Sequence, residues 1–137
     1  MSTDFSPGKT TTVEIDVRAD QPVRHYNVHL PVDYPNNRGH AVIFSFHGHT
    51  RDMTTQEDLS QLSQQGLLIN GVGIIAVYPQ GIIGTNGGTA WQGAPYSSPH
   101  VDDVNLFDFF LFMTSIIHHI DSLCKCNDLR VEKKIVH

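Results

Sequence analysis

Apolar and polar residues alternate at the start of the chain. Val13, Ile15 and Val17 interleave with Thr12, Glu14, Asp16 and Arg18, and Tyr26, Val28 and Leu30 interleave with His25, Asn27 and His29. A period of two predicts two strands with one buried face and one wet face. Ala19-Asp20-Gln21-Pro22 is a short polar break, so the pair reads as an antiparallel hairpin at the margin of a sheet. Pro31 ends the second strand, and the segment from Tyr34 to Gly39 reads as a turn. Two later runs are almost continuously apolar: Ala41 to Phe46, and Ile74 to Tyr78. Such runs suit strands covered on both faces, the habit of parallel sheets.

A helix is expected between those runs. Thr54 and Glu57 have capping-box spacing, Leu59 and Leu62 offer an inward face, and Gly66 or Gly71 marks a stop. Strand, helix, strand predicts a right-handed crossover and an α/β architecture. Pro79 to about His100 reads as one long polar loop, with glycines at 81, 84, 87, 88 and 93. A structureless loop of that length is unusual in a compact domain unless it is functional or disordered. A second helix is expected from about Val101 to Ile120. Asp102 and Asp103 would sit in its first turn and His118 and His119 in its last, both favourable to the helix dipole. Its expected apolar surface is Val104, Phe107, Phe110, Leu111, Ile117 and Ile120. Leu129-Arg130-Val131 reads as the start of a third buried strand, before the charged stretch Glu132-Lys133-Lys134 and the last residue, His137.

Composition narrows the class. A chain of 137 residues fits one domain, and 39% hydrophobic with 17% charged residues is neither disordered nor fibrous. The net charge of −5 leaves no basic stripe to neutralise phosphates, so no nucleic-acid partner is expected. Cys124 and Cys126 are too close in sequence to bridge readily, and two cysteines make no disulfide scaffold. No membrane span is expected. The greasiest stretch, Val104 to Ile120, carries Asn105, Asp108, His118 and His119 and is shorter than the roughly 20 apolar residues a span needs. Met1-Ser2-Thr3-Asp4 has no basic start and no apolar core, so no signal peptide is read, and a chain expressed as given would stay in the cytoplasm.

Candidate chemistry lies after the apolar runs, since ligands in open parallel sheets bind beyond the carboxyl ends of the strands. His47-Gly48-His49-Thr50 follows the first run directly. Amides just after such a His-Gly suit a developing oxyanion, and an ordinary strand-ending turn is the plainer alternative. A metal bound by His47 and His49 is a weaker alternative that lacks a clear third ligand. Trp91, the single tryptophan, suits a planar or sugar-linked ligand at the rim, or else it pins a long loop. Asp102-Asp103 reads foremost as a helix cap, and His118-His119 as a helix-end feature. None of the nine serines lies in Gly-x-Ser-x-Gly; Ser45 falls inside a strand, and Ser97 and Ser98 fall in the loop.

Taken in order, Arg24 to Pro31, Phe46-His47-Gly48, Val77-Tyr78-Pro79-Gln80-Gly81, Trp91 to Tyr96 and Val101-Asp102-Asp103-Val104 resemble the N-terminal half of fungal feruloyl esterases, relatives of polyhydroxybutyrate depolymerases. The resemblance covers about residues 12–131, and residues 132–137 diverge. It implies a single incomplete α/β-hydrolase domain over 1–137, with the hairpin and parallel strands in place and the chain ending before the nucleophile elbow. It implies a secreted serine carboxylesterase that releases hydroxycinnamates from feruloylated plant cell-wall polysaccharide, or acts on a small ester, without cofactor or metal. By position it assigns Gly48 and His49 to the oxyanion hole and His47 and Trp91 to substrate binding, and it assigns no residue of this chain to the catalytic triad. The expected sheet has an unpaired edge where later strands would follow. A non-catalytic aromatic- or glycan-binding module is the alternative from another class.

Overall fold

A computed structural model describes residues 5–112. Four strands form the main sheet: β1 (Thr10–Ile15), β2 (Arg24–His29), β3 (Val42–Phe44) and β6 (Ile75–Pro79). Two small hairpins, β4 (Leu68–Ile69) with β5 (Val72–Gly73) and β7 (Ile82–Ile83) with β8 (Thr89–Ala90), lie between and after them. The strand order is β1-β2-β6-β3. β1 and β2 pair antiparallel from Thr10↔His29 to Ile15↔Arg24, β2 pairs antiparallel with β6, and β3 pairs parallel with β6. One helix, α1 (Met53–Ser60), joins β3 to β6. A second, α2, runs over 103–112, the last described residue. Among the described residues this is an α/β fold with a mixed sheet and two helices.

Side-chain alternation divides the sheet into two unlike faces. One face carries Val13 and Ile15, Tyr26 and Val28, Ile75 and Val77, and Val42 and Phe44, and α2 covers it with Leu106 and Phe110. The Phe110 ring meets Tyr26 edge-on and lies beside Phe44, each at 5.3 Å between centroids. The other face is more polar, with Ile43 and Ala76 as apolar members. Thr10, Thr12, Asn27 and Tyr78 lie under α1, which buries no residue of its own. Glu57 of α1 accepts from the hydroxyls of Thr10 and Ser63 and from the Asn27 amide, and Ser63 shares a 2.8 Å bond with the Tyr78 hydroxyl. Asn27 is thereby only 5% exposed, so β2 is covered on both faces rather than half wet. A helix over polar side chains is held by hydrogen bonds, each with a net value of only about 1 kcal/mol.

Several expected boundaries move. The N-cap of α1 is Asp52, which accepts from the Thr55 amide at 2.7 Å, while Glu57 turns to the sheet instead of closing a capping box with Thr54. The helix stops at Gln61, in left-handed conformation with φ 58°, well before Gly66 or Gly71. Leu59 is 56% exposed, because the face beneath the helix is polar. Asn70-Gly71, both at positive φ, forms the β4–β5 turn, the Asn-Gly signal of a two-residue hairpin. The segment 79–100 is not structureless, since β7 and β8 pair inside it. β6 is buried throughout, as its run predicts, whereas β3 is only half-buried and has one edge unpaired among the described residues.

The inward face of α2 differs most from expectation. Leu106 is fully buried and Phe110 nearly so, while Val104 is 59% exposed and Leu111 65%. Asp102 caps the helix by accepting from the Asn105 amide at 3.1 Å, and that bond is the main cause holding its carboxyl below the usual range. The buried Asp103 then sets positions 103, 106 and 110 inward. The expected helix-end residues Ile117, His118, His119 and Ile120, Cys124 and Cys126, the strand at Leu129 and the charged tail lie outside the described residues.

Two measurements test this core. Leu106→Ala is expected to cost about 2–5 kcal/mol in chemical denaturation, and Val104→Ala no more than about 0.5 kcal/mol. Reversed costs would put the opposite face of α2 inward. Burial raises the Tyr26 phenol from 10.0 to about 12. The folded chain therefore holds that proton more tightly than the unfolded chain. The associated stability is complete below about pH 10 and is lost as pH rises through 12, about 2–3 kcal/mol in all. Tyr26→Phe should remove this alkaline loss from the stability–pH curve.

Candidate functional site

β3 and β6 run parallel, so their carboxyl ends meet on one side of the sheet. The loop after β3 begins Ser45-Phe46-His47-Gly48-His49. Ser45 extends the ladder by donating its amide to Val77 O at 2.9 Å, and the Gly48 carbonyl accepts from the Arg51 amide at 3.1 Å to close a turn. Thr50 takes φ 65° there, and its amide is tied to Thr89 O at 3.0 Å.

His47 is 2% exposed. The Gly81 amide donates to its Nε2 at 2.8 Å, so Nδ1 carries the proton and donates to Gly48 O at 2.8 Å. The indole of Trp91 donates to the His47 carbonyl at 2.9 Å, and the two rings lie 4.9 Å apart. With both nitrogens bound to backbone, His47 positions the loop and is closed to a ligand or metal. Among the described residues, no group of three His, Cys, Asp or Glu side chains is arranged to hold a metal ion. Glycine is required at 81, where a Cβ would lie 2.9 Å from Ala90 O and 3.1 Å from the His47 ring.

His49 is exposed. Its ring stacks on Tyr96 at 3.9 Å, and Asn86 Nδ2 donates to its Nε2 at 3.1 Å. The amides of Gly48 and His49 are not among the donors of the loop's backbone hydrogen bonds. A Cβ on Gly48 would meet nothing within 4 Å. The glycine is therefore not demanded by packing. Trp91 is half-buried beside them, with Phe46 at 5.3 Å and Phe107 at 6.5 Å. Phe46 is 41% exposed and Phe107 37%, which gives this end of the sheet an aromatic rim.

Behind the rim lies a charged anchor. Arg24 and Asp103 are both 3% exposed at their side chains, with Nη2 2.7 Å from Oδ1. This is a charge contact rather than an aligned hydrogen bond. Asp103 accepts from the Gln92 amide at 2.5 Å through Oδ2, and the Asp103 amide donates to Gln92 Oε1 at 3.0 Å. Arg24 also donates to Gln80 O at 3.1 Å. Gln80 in turn accepts from the Met53 amide, satisfying an orphan donor at the start of α1, and reaches within 3.4 Å of His47 Nε2. Arg24, Gln80 and Gln92 lie in the segments that carry the resemblance, but the sequence assigns them no role, and it marks Asp103 foremost as part of a helix cap. An Asp one residue inside a helix start, with an Arg on an inward strand position, was the available signal.

The structure thus brings His47, Gly48, His49 and Trp91 together and sets Asp103 behind them. Ser45 bonds Gln56 of α1 at 2.8 Å, and among the described residues no serine hydroxyl hydrogen-bonds a histidine ring. None of the described helices is long and apolar enough to cross a membrane. Comparison with protein-family models, with curated proteins and with solved structures returns no match.

The buried pair is directly testable. Arg24→Met strands the Asp103 charge and is expected to cost about 3–5 kcal/mol, whereas Arg24→Met with Asp103→Leu should recover much of that loss. Trp91 is the only tryptophan, so its emission reports the same event, shifting red as its loop detaches in the single variant. An unchanged spectrum and an unchanged denaturation midpoint would remove the anchor from this account.

Proposed function

We propose that this chain carries the oxyanion loop and acyl-group rim of a carboxylic-ester hydrolase of the α/β-hydrolase kind, similar to fungal feruloyl esterases. The observation that carries the reading is convergence. The separate segments that bear the resemblance, at Arg24, His47-Gly48, Gln80-Gly81, Trp91-Gln92 and Asp102-Asp103, join in one hydrogen-bonded network at the carboxyl ends of β3 and β6. In this reading the Gly48 and His49 amides donate to the developing oxyanion, a role in which one lost donor costs about 3–4 kcal/mol of transition-state stabilisation. His47 positions them through Gly81, and the Trp91 rim receives the aromatic acyl group. The substrate class is a hydroxycinnamoyl ester of cell-wall polysaccharide or a small ester, met outside the cell. The nucleophile elbow has no counterpart in the 137 residues, so the chain by itself is expected to show no turnover of 4-nitrophenyl acetate above background.

Binding is tested apart from turnover. In a ¹⁵N-labelled chain, methyl ferulate is expected to shift the Trp91 indole signal and the Gly48 and His49 amides saturably. Gly48→Ala should hold stability within about 0.5 kcal/mol, since its Cβ enters open space, and should abolish those shifts. An unesterified xylo-oligosaccharide that shifts Trp91 as strongly would favour a glycan-binding module, whose support is the same aromatic rim without an elbow. No response to either ligand would sink both readings.

A further inference from the structure

The chain contains two Asn-Gly pairs, Asn70-Gly71 and Asn86-Gly87, and both lie in exposed turns. In such a pair the glycine nitrogen can attack the asparagine side-chain amide, because no Cβ shields it. The attack requires a free Asn amide, an uncommitted glycine N–H and a backbone that can move. The two turns differ in all three respects. Asn86 is held: its Oδ1 accepts from the Gly88 amide at 3.1 Å, and its Nδ2 donates to His49 Nε2 at 3.1 Å. The Gly87 N–H is spent on Gly84 O at 3.1 Å. The turn is also pinned from outside, where the Thr85 amide donates to Tyr96 O at 2.9 Å.

Asn70 is held only by its backbone, whose carbonyl accepts from Arg38 Nη2 at 2.6 Å. Among the described residues its side-chain amide makes no hydrogen bond, and the Gly71 N–H donates to none. The hairpin that this turn closes has two unequal strands. β5 is fixed from both sides at Gly73, whose amide donates to Asp33 Oδ2 at 3.1 Å and whose carbonyl accepts from His40 Nδ1 at 2.7 Å. Both residues of β5 are buried. β4 buries neither of its residues, with Leu68 54% exposed and Ile69 44%, and it pairs with β5 at two positions only. β4 can therefore swing away from β5 without uncovering the core, the kind of local opening that costs least.

We propose that Asn70 is a self-modifying position, converted in the folded chain to a mixture of aspartate and isoaspartate while Asn86 is preserved. The Gly71 nitrogen loses its proton to hydroxide and bonds to Asn70 Cγ. The Cγ–Nδ2 bond breaks, and ammonia leaves with a proton from water. Water then adds to the cyclic imide. Opening at Cγ gives aspartate, and opening at the backbone carbonyl carbon gives isoaspartate, whose chain runs through Cβ and Cγ. The net change is one water taken up and one ammonia released, with no oxidation. Either product adds a negative charge to the turn that Arg38 already binds. Isoaspartate also lengthens a two-residue turn by one backbone carbon, and because β5 is fixed at Gly73 the misfit falls on β4. The site is independent of the Trp91 end and of the ester-hydrolase reading.

The full chain tests it, aged in mildly alkaline buffer made with H₂¹⁸O and read by peptide mass mapping. The Asn70 peptide is expected to split into aspartate and isoaspartate forms of equal mass, each carrying ¹⁸O in the new carboxyl. Asn86 should lag by at least about tenfold, since three hydrogen bonds worth about a factor of five each must break there first. In concentrated urea the two pairs should react at matched rates, because the protection of Asn86 belongs to the fold. In the ¹⁵N-labelled isoaspartate form, the amides of 68–70 should shift and those of Gly73 and β6 should not. No conversion of Asn70, conversion of Asn86 as fast as Asn70 in the folded chain, or a difference that survives in urea would each overturn the proposal. Shifts at Gly73 or in β6 would overturn the release of β4.

Discussion

The buried contact between Arg24 and Asp103 governs the arrangement of everything at the carboxyl end of the sheet. Taking two charges out of water costs several kcal/mol per ion, and the attraction between them repays this only with good geometry and further hydrogen bonds. The direct contact is not an aligned hydrogen bond, so the further hydrogen bonds carry the pair. Asp103 also accepts from the Gln92 amide, and Arg24 also donates to Gln80 O. The pair therefore cannot be satisfied unless four segments arrive together: the start of β2, the end of β6 at Gln80, the loop around Trp91 and the first turn of α2. This is a constraint on placement more than a source of stability. It sets the rotation of α2, and with it the choice of Leu106 and Phe110 over Val104 and Leu111 as core residues.

The two faces of the sheet solve the covering problem differently. On the α2 face, apolar side chains interdigitate and the gain scales with area removed from water, about 25 cal/mol per Å². On the α1 face, Glu57 replaces an apolar stripe and links Thr10, Asn27 and Ser63. Hydrogen bonds there exchange protein partners for water with little net gain, but an unsatisfied buried group would be costly. α1 is consequently positioned by direction and partner identity, through Asp52 at its start, Gln80 at its first turn and Glu57 beneath it.

These differences explain how much was legible in the sequence. The alternation in residues 13–30 located β1 and β2 and their inward residues, because an apolar face opposite a polar one writes a period of two into the chain, although α1 covers the polar side of β2. The apolar run ending at Tyr78 located β6. The turn at Asn70-Gly71 carried a readable signal, masked by treating Gly71 as a helix stop. The face of α2 was not legible by hydrophobicity, since a buried carboxylate occupies its first inward position and apolar residues occupy exposed ones. The inward turn of Glu57 was equally hidden, because a polar residue facing a polar sheet looks like an ordinary solvent position. At the candidate site, the sequence marked His47, Gly48, His49 and Trp91 as a group, but it did not divide their roles. That division follows from which atoms are already bonded: His47 has no free ring nitrogen, while Gly48 has open space before it.

The same accounting of donors and acceptors separates the two ends of the molecule. At the carboxyl end, the buried imidazole of His47 is fixed with its proton on Nδ1 by the Gly81 amide, and the loop it holds offers backbone N–H groups. At the other end, His29 is also fixed with its proton on Nδ1, but by a hydroxyl whose own proton goes to Glu57. There the remaining nitrogen is an acceptor. The two histidines therefore differ in what they have left to offer: the second nitrogen of His47 is taken by a backbone amide, and that of His29 is an acceptor. Both follow from tautomers set by neighbours, a property that neither the histidine count nor the net charge of the chain contains.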